Sequence, residues 1–139
     1  MNVAIFKEAP KQVGGTKTMI DFLYILGTIL FTVYGQLVVK WQVAKAGAFP
    51  ATGSERFYFL LRLVFNPWIM SGVAGGFLAM LCWMAAMTKF ELSYAYPFMS
   101  LAFVFVLILS SLLFHETVTT LKVVGLALIV LGIIIASRG

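Results

Sequence analysis

The sequence has almost none of the residues from which proteins build disulfides and metal sites. Its 139 residues include one cysteine, Cys82, and one histidine, His115. A single cysteine excludes an intrachain disulfide and any site with several cysteine ligands. No carboxylate lies in the middle of a long apolar segment. We therefore expect neither a metal site nor a cofactor, and we identify no catalytic residues.

Charged residues are also scarce. Only 11% of the residues are Asp, Glu, Lys or Arg, whereas 62% are hydrophobic. In soluble domains about a quarter of the residues are charged, so this composition indicates an integral membrane protein. The formal net charge is +5, but the basic residues are scattered and form no run. This distribution argues against a nucleic-acid partner and favours contact with anionic membrane lipids.

Four apolar segments have the length of membrane spans. A hydrocarbon core of about 30 Å needs roughly 20 apolar residues in a helix, with about 17 as the lower limit. The sequence predicts an all-α, polytopic membrane protein with spans at about 20–39, 67–88, 93–114 and 120–136. Residues 20–139 would form this transmembrane domain. The polar residues 1–19 are predicted to be a flexible N-terminal arm.

A shorter amphipathic segment lies between the first two spans. Over residues 54–65 the apolar and polar side chains separate onto two sides of a helix. The apolar side holds Phe57, Leu60, Leu61, Val64 and Phe65, and the polar side holds Glu55, Tyr58, Arg62 and Asn66. About twelve residues cannot cross a bilayer, so we predict a short helix in the membrane interface. Ser54 is its predicted N-cap, and Asn66 with Pro67 is predicted to open the second span.

Polar residues recur every four positions along the first span, which places them on one side of a helix. They are Thr28, Thr32, Gln36 and Lys40, and Gly35 lies beside them in a structural role. One interpretation is packing, because small and hydroxylated residues commonly line contacts between spans. A lysine near a span end can also simply extend to the lipid head groups. The other interpretation is a transport pathway, with Gln36 as a hydrogen-bonding group and Lys40 as an anion contact.

The start of the third span is more polar than the rest of that span. It runs from Glu91 to Pro97 and includes Tyr94 and Tyr96, and Ser100 follows one turn later. Pro97 removes one backbone hydrogen bond and is predicted to bend the helix. The tyrosines are typical of an aromatic belt at the membrane interface. They are equally compatible with a polar substrate site at the entrance of the span.

Two glycines of the fourth span, Gly125 and Gly132, lie one heptad apart. A seven-residue repeat of small residues keeps one side of a helix against a partner over two turns. A chain of this length has too few residues to enclose a large solute by itself. We therefore expect an oligomer with Gly125 and Gly132 at the subunit interface.

These segments together resemble the small members of the drug/metabolite transporter superfamily. The resemblance covers about 20–138 and rests on the segments Gly27 to Lys40, Ser93 to Ser100 and His115–Glu116, together with the glycine repeat. In the small multidrug resistance branch, a glutamate of the first span exchanges protons for hydrophobic cations. Thr32 stands at that position here. A threonine side chain does not cycle a proton at physiological pH, so the sequence argues against that mechanism.

The sequence is more similar to a second branch, the aminoarabinose-phosphoundecaprenol flippase subunits and related carriers. The shared motifs are Gly35–Gln36 with Lys40, Ala95–Tyr96–Pro97 with Ser100, and His115–Glu116. This resemblance implies a bacterial inner-membrane protein that moves an undecaprenyl-phosphate-linked sugar, or the carrier lipid, between leaflets. It also implies a homodimer, or a heterodimer with a related small subunit, and no enzymatic reaction.

Under this interpretation the substrate contacts several cations and hydrogen-bonding side chains. The predicted phosphate contacts are Lys40, Arg62 and Lys89, and the predicted head-group contacts are Thr32, Gln36, Glu91, Tyr94, Tyr96 and Ser100. Two other functions stay open: transport of small cationic or polar metabolites, and a non-transporting membrane subunit of a glycosyltransferase complex. An enzyme is disfavoured, because the adjacent residues His115 and Glu116 would not face one another on a helix.

Overall fold

The structure is a computed structural model that describes residues 18–139, and over this range it contains five helices and no strand. The helices are α1 Met19–Ala46, α2 Gly53–Val64, α3 Pro67–Met87, α4 Leu92–Phe114 and α5 Thr120–Ala136. The all-α fold predicted from the sequence is confirmed. Residues 1–17 of the predicted N-terminal arm lie outside the described residues.

Local hydrogen bonds fix the starts of two long helices. At α1 the Asp21 carboxylate accepts from the backbone N–H of Thr18 at 2.8 Å and from its hydroxyl at 3.0 Å. At α3 the Asn66 side chain accepts from the backbone N–H of Trp68 at 2.9 Å, with Pro67 as the first helical residue. Such contacts satisfy N–H groups that have no partner inside the helix. The predicted opening of α3 by Asn66 and Pro67 is confirmed.

The central helix of the bundle is α1, which packs along α3 and also contacts α4. Glycines permit the close approach of α1 and α3. A Cβ atom at Gly35 would lie 2.9 Å from the carbonyl oxygen of Gly72, and one at Gly75 would lie 3.0 Å from the Tyr34 ring. Side chains at these positions would push the helices apart, which is why small residues are favoured at such crossings. Among the described helices, α5 contacts α4 alone.

A small hydrophobic core lies between α1, α3 and α4, near the start of α1. Its buried members are Ile25, Ile29, Val33, Ala86, Phe90, Ala95 and Ala102. The Phe22 ring packs against Phe90 and Phe98, with ring centroids 5.1 and 6.1 Å apart. These contacts hold the turn between α3 and α4 against the first turns of α1.

Helices α1, α3 and α4 are each long and apolar enough to cross a membrane, and α5 is apolar but has only 17 residues. Many large apolar side chains point away from the bundle, such as Leu23 on α1, Phe77 on α3 and Leu112 on α4. Lipid chains satisfy such a surface, whereas water does not. The length and apolar surface of these helices therefore indicate a multi-pass membrane protein.

Three details bear on the sequence prediction, and one of them, the N-cap of α2, differs from it. Helix α1 continues to Ala46, past the predicted end of the first span, which stays a prediction; Gln42 in its last turns is buried and accepts from the Asn66 NH₂ group at 3.4 Å. Helix α2 begins at Gly53, and Thr52, whose backbone is extended, is the N-cap in place of Ser54. Helix α4 is continuous through Pro97, so the predicted bend there stays a prediction.

Candidate functional site

The polar stripe of α1 lines an open groove between α1, α3 and α4. The groove consists of two adjoining cavities of about 700 and 480 Å³. Both cavities are lined by Thr32, Gln36, Gly76 and Ala79. The larger one continues along α1 to Lys40, and the smaller one continues to Thr28 and to α4. All four polar residues of the stripe therefore line one groove.

Small residues of α3 leave the space that the groove occupies. Gly72 packs directly against α1, but a Cβ atom at Gly76 would meet nothing within 4 Å. Gly76 is exposed and Ala79 is buried, and both line the groove. The same run of small residues thus brings α3 close to α1 at one point and keeps a space open beside it.

An aromatic wall closes the side of the groove formed by α3 and α4. The rings of Trp83 and Tyr96 meet edge to face, with centroids 5.9 Å apart and planes at 82°. Met99 and Phe103 of α4 continue this wall. An aromatic face next to polar groups is a surface on which a sugar ring can pack while its hydroxyls form hydrogen bonds.

Four polar groups of the groove have no hydrogen-bond partner within residues 18–139. They are the Thr32 hydroxyl, the Gln36 amide, the Trp83 indole N–H and the Tyr96 hydroxyl. By contrast, the Thr28 hydroxyl donates to the Tyr24 carbonyl oxygen at 2.9 Å. In a medium with little water an unpaired polar group is costly. These four groups are therefore available to a ligand.

One end of the groove is formed by Lys40, whose ammonium group is paired with the carboxylate of Glu116. The same ammonium lies over the Phe114 ring, 5.3 Å from its centroid. Glu116 reaches this position because His115 ends α4 in the left-handed backbone conformation, with φ 52° and ψ 35°. The two side chains are 42% and 39% exposed, so a ligand can reach the pair.

The predicted phosphate contacts do not form one cluster. Arg62 lines a separate cavity with Lys45 at the junction of α1 and α2. Lys89 lies in the turn between α3 and α4, where its charge acts on the Asp21 carboxylate at the start of α1. Asp21 and Lys40 are 19 residues apart on α1, which corresponds to about 28 Å along a helix. Lys89 and Lys40 are therefore at opposite ends of the bundle.

Two further predicted contacts also lie at the Lys89 end. Glu91 is the N-cap residue of α4. The Tyr94 ring stacks on Phe90 with centroids 5.7 Å apart and contacts Phe98 at 5.5 Å. This arrangement places Tyr94 in the aromatic packing around the start of α1, whereas Tyr96 faces the groove.

Ser100 and the two glycines of α5 do not line the groove. Ser100 is 2% exposed, and its hydroxyl donates to the carbonyl oxygen of Pro97. Cβ atoms at Gly125 and Gly132 would meet no atom of the described residues within 4 Å. Ser100 is thus satisfied inside α4, and the glycine side of α5 is open.

Sequence reasoning did not identify several residues of the groove. Gly76, Trp83 and Phe103 line it, and Glu116 neutralises Lys40. A signal existed for α3, because Gly72 and Gly76 are one turn apart. No such signal links Glu116 to Lys40, since the contact joins a loop to a helix far away in sequence. In the part of the chain that the structure describes, no three His, Cys, Asp or Glu side chains gather as metal ligands would.

Comparison with known proteins gives consistent matches. The EamA-like transporter family matches residues 59–138. A "probable 4-amino-4-deoxy-L-arabinose-phosphoundecaprenol flippase subunit ArnF" of Photorhabdus laumondii subsp. laumondii is 33% identical over 127 residues, which cover 86% of this chain and 98% of that protein. The protein of the same name from Aeromonas salmonicida is 34% identical over 116 residues, covering 82% and 76%.

A second kind of subunit is also similar. The "probable 4-amino-4-deoxy-L-arabinose-phosphoundecaprenol flippase subunit ArnE" of Aeromonas salmonicida is 30% identical over 112 residues, which cover 81% of this chain and 92% of that protein. No solved structure matches the chain. The matches confirm the resemblance inferred from the sequence motifs.

Proposed function

The chain belongs to the EamA-like transporter family, and on that premise we propose that it moves an undecaprenyl-phosphate-linked sugar, or the carrier lipid itself, between the leaflets of the bacterial inner membrane. Relatives at 30–34% identity are named as probable subunits of a flippase for an aminoarabinose-phosphoundecaprenol. In this proposal the chain is a transporter subunit that catalyses no covalent reaction.

The observation that carries the proposal is the groove with its four unpartnered polar groups. A sugar presents several hydroxyl groups, and the Thr32, Gln36 and Tyr96 side chains can both donate and accept hydrogen bonds. The Trp83 indole adds a further donor and an apolar face. A groove that served only to pack lipid chains would not keep these polar groups without partners.

The open side of the groove suits a substrate with a long lipid tail. Gln36, Gly76 and Phe103 line the groove and are exposed at the surface of the bundle. A prenyl chain can remain among the lipid chains while the sugar enters between α1 and α4. The protein then needs no closed pore around the substrate. A chain of 139 residues is too short to build one alone.

Lys40 is the proposed contact for the substrate phosphate. Its present partner, Glu116, holds the ammonium group at the end of the groove. Because both side chains are well exposed, such a pair contributes only about 0.2–1 kcal/mol. A phosphate that binds Lys40 therefore displaces the carboxylate at a small cost in free energy. Until the substrate binds, Glu116 occupies the position of the anion.

The proposed topology has four spans and one interfacial helix. The 17 residues of α5 correspond to about 25 Å, which is at the short end for a membrane span. In α2 the apolar side chains Phe57, Leu60 and Val64 are exposed. An exposed apolar side on a short helix next to the membrane favours a position in the interface.

We further propose that the chain works as a pair, either with a second copy or with a related small subunit. Relatives are named as two kinds of flippase subunit, ArnF and ArnE. The side of α5 around Gly125 and Gly132 is open, and the neighbouring Leu121 and Ile135 are 84% and 70% exposed. We assign the partner contact to this side.

Proton-coupled export of cations has less support. Of the described residues that line the groove, none is Asp or Glu. Thr32 occupies the position at which the resemblance would put the proton-coupling glutamate. Among the described lining residues the charged one is Lys40, and its partner Glu116 lies at the end of the groove, so a cationic substrate would meet no free carboxylate inside it.

A transport assay in liposomes tests the proposal. The chain is reconstituted alone and with a related small subunit, and movement of a fluorescent undecaprenyl-phosphate sugar between leaflets is followed by chemical quenching. We expect transport by the wild type and at least a tenfold lower rate for Gln36→Leu combined with Tyr96→Phe. Undecaprenyl phosphate should also raise the melting temperature of the wild type.

Ser110→Ala provides the matched control, because the Ser110 hydroxyl is buried in α4 and donates to the Leu107 carbonyl oxygen at 3.2 Å, away from the groove. This variant should transport normally. Equal transport by the groove variant and the control, together with no stabilisation by undecaprenyl phosphate, would contradict the proposal.

A further inference from the structure

A second polar cavity lies at the junction of α1 and α2, outside the groove. It has a volume of about 320 Å³ and is lined by Gln42, Lys45, Ala46, Phe59, Arg62, Leu63 and Asn66. Gln42 follows Lys40 by two positions, and two residues on a helix differ by about 200° in direction. Gln42 and Lys40 therefore point to nearly opposite sides of α1, and the two sites are separate.

The hydrogen bonds of Asn66 determine how the Gln42 amide is oriented. The Asn66 side-chain oxygen accepts from the Trp68 N–H, so its NH₂ group faces Gln42. That NH₂ group donates to the Gln42 side-chain oxygen at 3.4 Å. The Gln42 NH₂ group is left without an acceptor among residues 18–139. Gln42 is only 6% exposed, so this buried side chain offers the cavity an unused hydrogen-bond donor.

Two cations complete the cavity. The Lys45 ammonium lies over the Trp41 ring at 3.9 Å from its centroid, and Trp41 in turn meets the Trp68 ring edge to face at 5.4 Å. Within the described part of the chain, neither Lys45 nor Arg62 is paired with a carboxylate, and no Asp or Glu lines the cavity. An unused amide donor and two unpaired cations form a site for an anion.

We propose that this cavity binds the phosphate group of a lipid, at a site distinct from the Lys40 groove. The cations and the Gln42 NH₂ group can all donate to phosphate oxygens. The lipid nature of the ligand follows from α2, whose exposed apolar side chains, including Leu60 and Val64, lie on the same short helix as Arg62. The inference rests on the proposed function to the extent that it places α2 in the membrane interface.

Native mass spectrometry of the delipidated full chain tests this site. The protein is titrated with undecaprenyl phosphate and, separately, with dioleoyl phosphatidylglycerol. In Lys45→Gln combined with Arg62→Gln we expect at least tenfold weaker retention of one or both lipids. Gln42→Leu, which removes the unpaired NH₂ donor without changing charge, should weaken retention of the same lipid.

The matched control is Arg56→Gln combined with Lys122→Gln, which removes two positive charges at the same end of the bundle. Arg56 and Lys122 are exposed, and they donate to the carbonyl oxygens of Pro50 and Thr117 rather than lining the cavity. This variant should retain both lipids as the wild type does. Equal weakening in both double variants would show general charge attraction and would overturn the proposal, as would no weakening in either.

The two titrations also identify the source of the phosphate. Loss of undecaprenyl phosphate alone assigns the cavity to the transported lipid, and loss of phosphatidylglycerol alone assigns it to a lipid of the bilayer. The groove variant Gln36→Leu with Tyr96→Phe leaves Lys45 and Arg62 intact. Its transport defect is therefore measured independently, and either proposal can fail while the other stands.

Discussion

Glycines serve different purposes in two regions of this molecule. At the crossing of α1 and α3, Gly35 and Gly72 bring two backbones into contact, and a Cβ atom at Gly35 would lie 2.9 Å from a carbonyl oxygen. On α5, Gly125 and Gly132 face open space. The first pair is already used in packing within the chain, whereas the second pair has no close neighbour among residues 18–139.

The difference shows that glycine spacing alone does not say what a helix contacts. In the sequence both regions are small-residue motifs, and glycine is frequent in membrane helices generally. Packing distances separate them: the contacts of Gly35 are part of the fold, and the open side of α5 is where we propose the partner contact. Gly76 is a third case, because it is open and lies on the groove.

The largest effect is expected at the crossing of α1 and α3. In Gly35→Leu the new side chain must displace the backbone of α3 at Gly72. Overpacking of this kind costs about 1–3 kcal/mol or more, and we expect the free energy of unfolding in mixed detergent micelles to fall by at least that amount. Gly132→Leu is the control and should not lower this free energy, and equal losses in both variants would contradict the comparison.

A change at Gly76 should affect substrate binding while the fold is retained. Leucine at this position meets no atom within 4 Å of its Cβ and is a better helix former than glycine by about 1 kcal/mol. Its side chain would fill the groove beside Gln36. We expect Gly76→Leu to be at least as stable as the wild type but to bind undecaprenyl-phosphate sugar at least tenfold more weakly, as measured by titration in nanodiscs. Normal affinity in this variant would place the sugar elsewhere.

The open side of α5 is tested by Gly125→Leu combined with Gly132→Leu. Cβ atoms at these two positions meet no atom of residues 18–139 within 4 Å, so the monomer should remain folded. We expect about tenfold weaker association with a second copy or a small subunit, a change of about 1.4 kcal/mol, as measured by cross-linking in liposomes over a dilution series. An unchanged cross-linking pattern would rule out this interface.

The smallest effect is expected at the ion pair. Glu116→Gln removes the carboxylate that competes with a substrate phosphate for Lys40. Because an exposed pair contributes about 0.2–1 kcal/mol, affinity for undecaprenyl phosphate should rise by roughly 1.5- to 5-fold. Lys40→Gln should lower it. Lower affinity in Glu116→Gln would show that Glu116 contacts the substrate instead of competing with it.

Much of the helical framework could be predicted from the sequence, because hydrophobic length and capping residues are local features. The start of α3 at Pro67 and the position of α2 followed from such signals. The polar stripe on α1 was also visible, since a four-residue spacing fixes one side of a helix. Its surroundings were not, because the aromatic wall depends on how α3 and α4 pack against α1.

The predicted cation cluster shows where sequence reasoning stopped. Lys40, Arg62 and Lys89 were grouped because phosphate needs positive charge, yet successive spans run in opposite directions. That alternation places Lys89 near Asp21 at the start of α1, and Asp21 is about 28 Å along the helix from Lys40. The separation of Arg62 from Lys40 could not be inferred, because it depends on which side of α1 the short helix α2 meets.

Locating the bound sugar distinguishes the groove from the other polar sites of the bundle. A lipid-linked sugar with a photoreactive diazirine on its ring is incorporated with the protein into nanodiscs, irradiated, and its adducts are mapped by mass spectrometry. We expect adducts on the groove residues Gln36, Trp83 and Tyr96. Adducts confined to Tyr94 and Lys89 at the opposite end, or to the outer side of α5, would contradict it.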